Sequence, residues 1–388
     1  MFLHKSYNDN WSFGGRRPTV FASTPFNEID FDNSKQKNGR RRMSHLHGTG
    51  VEGFLESMEI PPSSLGHCLF EMFGRYHDRV VEVNAATGEV LKYKDILAEA
   101  LALAAGLRSL GVTPGKLIGL LAAPNDAKVN TILVASLILG AVLHPIDYRQ
   151  KTAGSKLAAL LQDKQPRIVF CAEEQVGDVA TLKTDKTLII STNGKVKPLE
   201  GSHPTEGTCY FDSILNSEEG IVDLTDLGPR DVLVVLQGDT KNEDVVLTNE
   251  EILKCSTRRK HLSGFGTGQV MDYEDWSSGS WIIRRIFIFR CGGGTLTALP
   301  PFDSEQTLAL VQKHRISWVV LESYQMSELY NCQAIVGYDL SSLQIISAPS
   351  NNSALHPGDT AKHDSLRERL PATRVVITGK TIADAIPT

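Results

Sequence analysis

The feature that most constrains this chain is an alternation of short apolar runs with segments of helical period. Leu117–Ala123, Ala141–Ile146, Arg167–Cys171 and Leu188–Ser191 read as strands, with helices expected over 126–140 and 153–163. Strands separated by helices of this length predict parallel sheets covered on both faces, because a parallel pair needs a crossover connection. Upstream, Leu65, Leu69, Phe70, Phe73 and Tyr76 share one helical face, and a hairpin is expected around Ala86-Thr87-Gly88-Glu89. The helix beginning near Asp95 carries a stripe of Ile96, Ala100, Leu103, Leu107 and Leu110, with Gly111 at its C′ position and Pro114 beyond.

A second alternating block follows a turn-rich stretch. Its expected elements are strand Asp231–Leu236, a helix opened by the capping-box pair Thr248 and Glu251, and strand Trp281–Phe289. Helix 303–314, strand Ser317–Leu321, helix 362–370 and strand Arg374–Thr378 complete it. The expected organisation is a tail or lead-in over 1–60, a first α/β subdomain over 61–192, a connection over 193–229 and a second α/β subdomain over 230–388.

Composition narrows the function classes. Forty basic against forty-five acidic side chains give a net charge of −5, which argues against general affinity for nucleic acid or anionic membrane. The cysteines at 68, 171, 209, 255, 291 and 332 form no CxxC pair, so neither a zinc ribbon nor a redox dithiol is expected. The apolar run Thr131–Leu143 is shorter than the roughly 20 residues a membrane-spanning helix needs, so no transmembrane segment is expected. No secretory signal opens the chain, and Asp9, Glu28, Asp30 and Asp32 argue against a mitochondrial presequence. The C-terminus Ala385-Ile386-Pro387-Thr388 is not a peroxisomal SKL-type signal.

Several segments then resemble one superfamily. Leu91-Lys92-Tyr93-Lys94-Asp95, Ala105-Gly106-Leu107, Leu110-Gly111-Val112 and Leu139-Gly140-Ala141-Val142-Leu143-His144-Pro145 are similar to the opening of the adenylate-forming (AMP-binding) enzymes. So are Phe302-Asp303, Gln312-Lys313-His314-Arg315-Ile316 and Tyr338-Asp339-Leu340-Ser341-Ser342-Leu343 further on. The likeness runs from about 65 to 380, to the acyl-CoA synthetase, 4-coumarate–CoA-ligase and luciferase-like branch. It implies two sandwiched parallel-sheet α/β subdomains like that family's N-terminal domain, with no counterpart of the small C-terminal domain. It also implies ATP and magnesium as cofactors, CoA where the protein is active, and an acyl or aryl carboxylate as substrate. The compartment expected is the cytoplasm, with the peroxisome as the family's alternative.

The family's phosphate loop reads roughly Ser-Ser-Gly-Thr-Thr-Gly-x-Pro-Lys-Gly, whose backbone N–H groups hold phosphate. The corresponding stretch here is Gln237-Gly238-Asp239-Thr240-Lys241-Asn242-Glu243-Asp244, with one glycine, one lysine and three acids. Opposed charge and lost glycines both weaken triphosphate binding. The family's adenine-contacting stretch becomes Ser347-Ala348-Pro349-Ser350, its histidine becomes Asp275, and its Thr-Glu pair falls on Ile382 and Ala383, with Asp384 one place away. The resemblance therefore implies a remnant nucleotide site of Gly238, Asp239, Thr240, Lys241, Ala348, Pro349, Thr381 and Asp384, with no intact catalytic residue and no metal site.

Other patterns carry less. Thr378-Gly379-Lys380-Thr381 lacks the upstream glycine of a Walker motif, with Arg374 in its place. Gly264–Gly268 and Gly292-Gly293-Gly294 read as turns, and Ser277-Ser278-Gly279-Ser280 lies on the wrong side of the Leu-Thr-opened helix to be the phosphate loop. His45 and His47 make a poor metal site, and Arg284-Arg285 reads as a solvated strand end. The leading expectation is a catalytically impaired acyl-CoA synthetase-like protein. The alternatives are an active carboxylate–CoA ligase, a scaffold that forms a homo- or hetero-oligomer with a full-length relative, and a wrongly joined gene sequence.

Overall fold

The computed structural model describes residues 64–121, 126, 128–147, 154–182, 186–193, 208–215, 223–237, 244–256, 268–274, 276–297, 299–349, 369–370 and 373–378. The expected tail and nearly all of the helix expected over 362–370 lie outside these residues.

The chain opens with α1 (Leu65–Arg75), the hairpin β1 (Val80–Asn84) and β2 (Val90–Lys92), and α2 (Tyr93–Ser109). It continues through β3 (Leu117–Leu121), α3 (Val129–Leu139), β4 (Val142–Pro145), α4 (Gly154–Lys164), β5 (Ile168–Cys171), α5 (Val176–Leu182) and β6 (Leu188–Ser191). Next come β7 (Thr208–Tyr210), α6 (Phe211–Leu215), β8 (Val232–Leu236), β9 (Val245–Thr248), α7 (Asn249–Cys255), β10 (Gln269–Asp272) and α8 (Gly279–Cys291). The last described elements are β11 (Gly294–Thr297), α9 (Ser304–His314), β12 (Ile316–Val320), α10 (Ser323–Asn331), β13 (Ile345–Pro349) and β14 (Arg374–Thr378).

These strands make two seven-stranded sheets, ordered β14-β13-β12-β10-β11-β1-β2 and β7-β6-β5-β3-β4-β8-β9. Pairing is parallel except at the two hairpins, β1–β2 and β8–β9, each of which closes one sheet edge. Sheet membership does not follow chain order. The early hairpin β1–β2 joins the strands after 268, whereas β8 and β9 join β3–β7.

The period-two pattern of the strands explains the layering. Val270, Trp318, Val320 and Ile345 from the first sheet, with Ile118, Leu120, Ile168, Phe170 and Ile190 from the second, share one core with α1, α2, α3 and α8. Their alternate neighbours Met271, Val319 and Ile346 face α9 and α10, and Val169, Cys171 and Ile189 face α4 and α5. A helix in the shared layer meets protein on every side. That is why α3 is buried over its whole length, and a helix so placed reads as continuous apolar sequence rather than as a stripe. No described helix is long and apolar enough to cross a membrane.

Helix ends follow local chemistry. The Asp95 carboxylate accepts the Lys92 N–H at 2.8 Å, and Thr248 and Glu251 form the expected capping box. The stretch 193–229 is not only a connection: β7 and α6 form within it, and Phe211 stacks toward Phe170 at 6.3 Å.

The strand expected over Trp281–Phe289 is corrected by the structure to α8. Ser278 Oγ accepts the Trp281 N–H at 3.1 Å to cap its start, and Gly292, at φ 68°, ends it in the left-handed conformation. Its β-branched and aromatic residues favour a strand, but both caps and burial on all sides favour the helix. Arg284 and Arg285 are accordingly not solvated; both are buried.

Two glycines give a direct test of the backbone. Gly88 has φ 76° with nothing near its missing Cβ, whereas Gly140 has φ 66° and a Cβ there would lie 2.8 Å from Leu227 Cδ2. Gly88→Ala should cost about 1 kcal/mol through backbone strain alone, and Gly140→Ala about 2–4 kcal/mol because overpacking adds to it. Urea unfolding of the two variants measures the difference.

Candidate functional site

In open α/β sheets, ligands bind beyond the carboxyl ends of the strands where the connection order reverses. In the first sheet β10 feeds α8, in the shared layer, and its neighbour β12 feeds α10, on the outer face. The reversal therefore lies between β10 and β12, and the candidate site is built on the ends of those strands.

Asp272 ends β10 and follows the alternation of Val270, so it faces the shared helix layer. There Arg284 of α8 donates Nε–H to Asp272 Oδ2 at 3.0 Å and Nη2–H to Oδ1 at 3.2 Å. The same Nη2 lies 2.6 Å from Glu274 Oε2. Glu274 Oε1 accepts from Ser278 Oγ at 2.7 Å and from Ser280 Oγ. Burial opposes ionisation of Glu274, but Arg284 and the two serine hydroxyls together hold its carboxyl below the usual range. For Asp272 burial is the larger influence and raises the carboxyl despite Arg284.

Beside this cluster, Arg285 places its guanidinium 4.4 Å from the Trp281 ring centroid. Burial lowers its pKa to about 10, partly offset by Asp272 and Glu82. On the outer side Tyr273 shares a hydrogen bond with Thr307 at 3.0 Å and meets Phe302 edge-on at 5.3 Å. Trp318 Nε1–H donates to Ser347 Oγ at 2.8 Å, binding β12 to β13.

The residues expected to form a remnant nucleotide site are only partly within the described structure. Ala348 and Pro349 end β13, in register with Ile377 and Thr378 of β14, so their backbone lies in the sheet. Gly238, Asp239, Thr240, Lys241, Thr381 and Asp384 lie outside the described residues, as does Asp275. The flanks of the loop are in place: β8 precedes it, and Asp244, just before β9, pairs with Lys164 at the end of α4. His144 on β4 donates its Nδ1–H to Val235 O at 2.7 Å, and burial pushes its pKa down.

Sequence reasoning missed Asp272, Glu274 and Arg284 as a unit. Ser278 as an N-cap and Gly292 as a C′ glycine were the signals that could have revealed α8 and placed Arg284 over the end of β10.

Known proteins share this architecture. The family model for AMP-binding enzymes matches residues 69–235. Over that span the chain is similar to AMP-binding enzymes. A 4-coumarate–CoA ligase of Pinus taeda is 21% identical over 359 residues, covering 86% of this chain and 60% of the relative. The chain thus spans under two thirds of that relative's length. The luciferase-like enzyme of the mealworm Zophobas morio superposes with a TM-score of 0.69 at 18% identity, covering 82% of this chain and 72% of that one. The N-terminal domain of FACL13 from Mycobacterium tuberculosis gives 0.65 at 16%, covering 82% and 75%. The two-sheet fold is that of the N-terminal domain of adenylate-forming enzymes.

Family members bind ATP, magnesium and CoA, and the described residues can be tested for fit. Asp272 and Glu274 are both committed to Arg284, and no group of three metal-binding side chains occurs among the described residues. The described ends of β10, β12 and β13 therefore offer no free carboxylate set for magnesium.

Removing Arg284 would leave two buried acids without their counter-ion. Arg284→Met should destabilise the fold by about 3–5 kcal/mol at neutral pH. Protonating the orphaned acids should recover part of the loss, so the deficit must shrink on acidification in urea titrations at several pH values.

Proposed function

We propose that this is an acyl-CoA synthetase-like protein whose adenylate-forming chemistry is impaired. The observation that carries this reading is the closed ion network at the end of β10. Arg284, 2% exposed at its side chain, lies within ion-pair distance of both nearby carboxylates, and two serine hydroxyls donate to Glu274 Oε1. Polar groups that neutralise one another there are not available to polarise or deprotonate a ligand. The sequence between β8 and β9 supports the same reading, because Asp239 and Glu243 add acidic residues to the stretch that corresponds to the family's phosphate loop.

The ligand class supported by the family is a carboxylic acid, acyl or aryl. A second reading, an active ATP-dependent carboxylate–CoA ligase, is favoured by the likeness to 4-coumarate–CoA ligase across 86% of this chain.

Titration calorimetry with ATP and magnesium separates the two. The impaired reading expects no binding heat at millimolar nucleotide, and no pyrophosphate release with a panel of fatty and aryl acids. Micromolar binding with pyrophosphate release and acyl-CoA formation would replace it with the ligase reading.

A further inference from the structure

A buried acid of the first sheet and a buried cation of the shared helix layer act on each other electrostatically, and no ion pair joins them. Glu82 of β1 is 2% exposed. Its Oε2 accepts from Asn130 Nδ2 of α3 at 2.7 Å, and its Oε1 lies 2.9 Å from Thr297 Oγ1 of β11. Both partners are uncharged. Arg285 of α8 is 4% exposed and forms no ion pair with a described residue. Its Nη1 has no hydrogen-bond partner there, and neither has Asn130 Oδ1.

The hydrogen bonds around Glu82 accommodate either protonation state. Thr297 Oγ1 also lies 3.5 Å from Val83 O. A neutral Glu82 can donate its proton to Thr297, whose hydroxyl then turns to Val83 O. An ionised Glu82 accepts from Thr297 instead, and the buried cation left for its charge to meet among the described residues is Arg285. Arg285 is at present stacked over Trp281.

The other charged groups around Glu82 are already engaged. From α2, Glu99 is held by Lys128 and by Thr131 Oγ1 at 2.8 Å. From β10, Asp272 is held by Arg284. Tyr93 of α2 acts on Arg285 electrostatically and donates its own hydroxyl to Gly293 O at 2.6 Å.

We propose that Glu82 is a proton-dependent latch between the first sheet and the shared helices. Uncharged, it ties β1 and β11 to α3 through Thr297 and Asn130. On losing its proton to solvent, it pairs with Arg285, which leaves the face of Trp281. Burial raises the Glu82 carboxyl, opposed by its bonds to Asn130 and Thr297 and by Arg285, which puts the transition above the ordinary carboxylate range. A raised folded-state pKa means that the stability from neutral Glu82 is fully present below the unfolded value, and is lost as pH rises through the folded one.

Trp281 reports the switch. Tryptophan fluorescence of the full chain would be followed from about pH 4 to about pH 9, a range covering ordinary and buried glutamates. Subtracting the same titration of Trp281→Phe isolates the Trp281 signal. The expected result is a single-proton transition in the wild type that is absent from Glu82→Gln, whose amide reproduces the neutral hydrogen bonds. Arg285→Met removes a buried cation rather than adding one, and must also abolish the transition. A Trp281 transition that persists in either variant, or none in the wild type, overturns the proposal.

Discussion

Two sheets share one layer of helices, and every other feature of this protein answers to that constraint. A helix between two sheets has no solvent face, so its polar residues must be neutralised inside the protein or excluded. Helix α3 takes the second route over most of its length, with Asn130, Thr131 and Ser136 each hydrogen-bonded. Helix α8 takes the first. It carries Arg284, Arg285 and Arg290 through the core, and each is accommodated differently.

Arg284 meets two acids at the end of β10, and Arg290 donates to Leu253 O at 3.1 Å and Ser256 Oγ at 2.8 Å, fastening α8 to the end of α7. Arg285 has an aromatic face in place of a counter-ion. A buried ion pair contributes little net stability compared with an apolar substitute, but breaking one is expensive. Such residues therefore fix which elements meet more than they strengthen the core. The Arg284 network ties the shared layer to the strand end where a ligand of this fold would bind, so the charge balance of the core and the chemistry of the candidate site are one problem.

Much of the fold was legible because local signals agreed with it. The hairpin around Gly88, the Thr248–Glu251 box and the β3–α3–β4 alternation appear where the sequence places them. So does the buried face of Leu65, Leu69, Phe73 and Tyr76, although Phe70, expected on that face, is exposed because it lies about 100° round the helix from Leu69. Helix α8 was not legible from composition. Its run Trp-Ile-Ile-Arg-Arg-Ile-Phe-Ile-Phe has strand-like residues and no amphipathic stripe, since all its faces are buried. Strand β10 and helix α10 were missed because each is short and has a weak pattern. At the site, Ala348 and Pro349 proved to be sheet residues, and the acids that matter structurally, Asp272 and Glu274, carried no signal until α8 placed Arg284 above them.

Residue order alone carries the alternating α/β class, the likeness to adenylate-forming enzymes and the acid-rich composition of 237–244. These are local properties of residue order, and they hold whatever the chain packs against. Tertiary structure alone decided that β1 and β2 join strands some two hundred residues later. It also decided that Trp281–Phe289 is helical, and that three arginines of that helix lie inside the core. Those outcomes depend on groups brought together from distant segments, and on the absence of water around them. No window of sequence contains either.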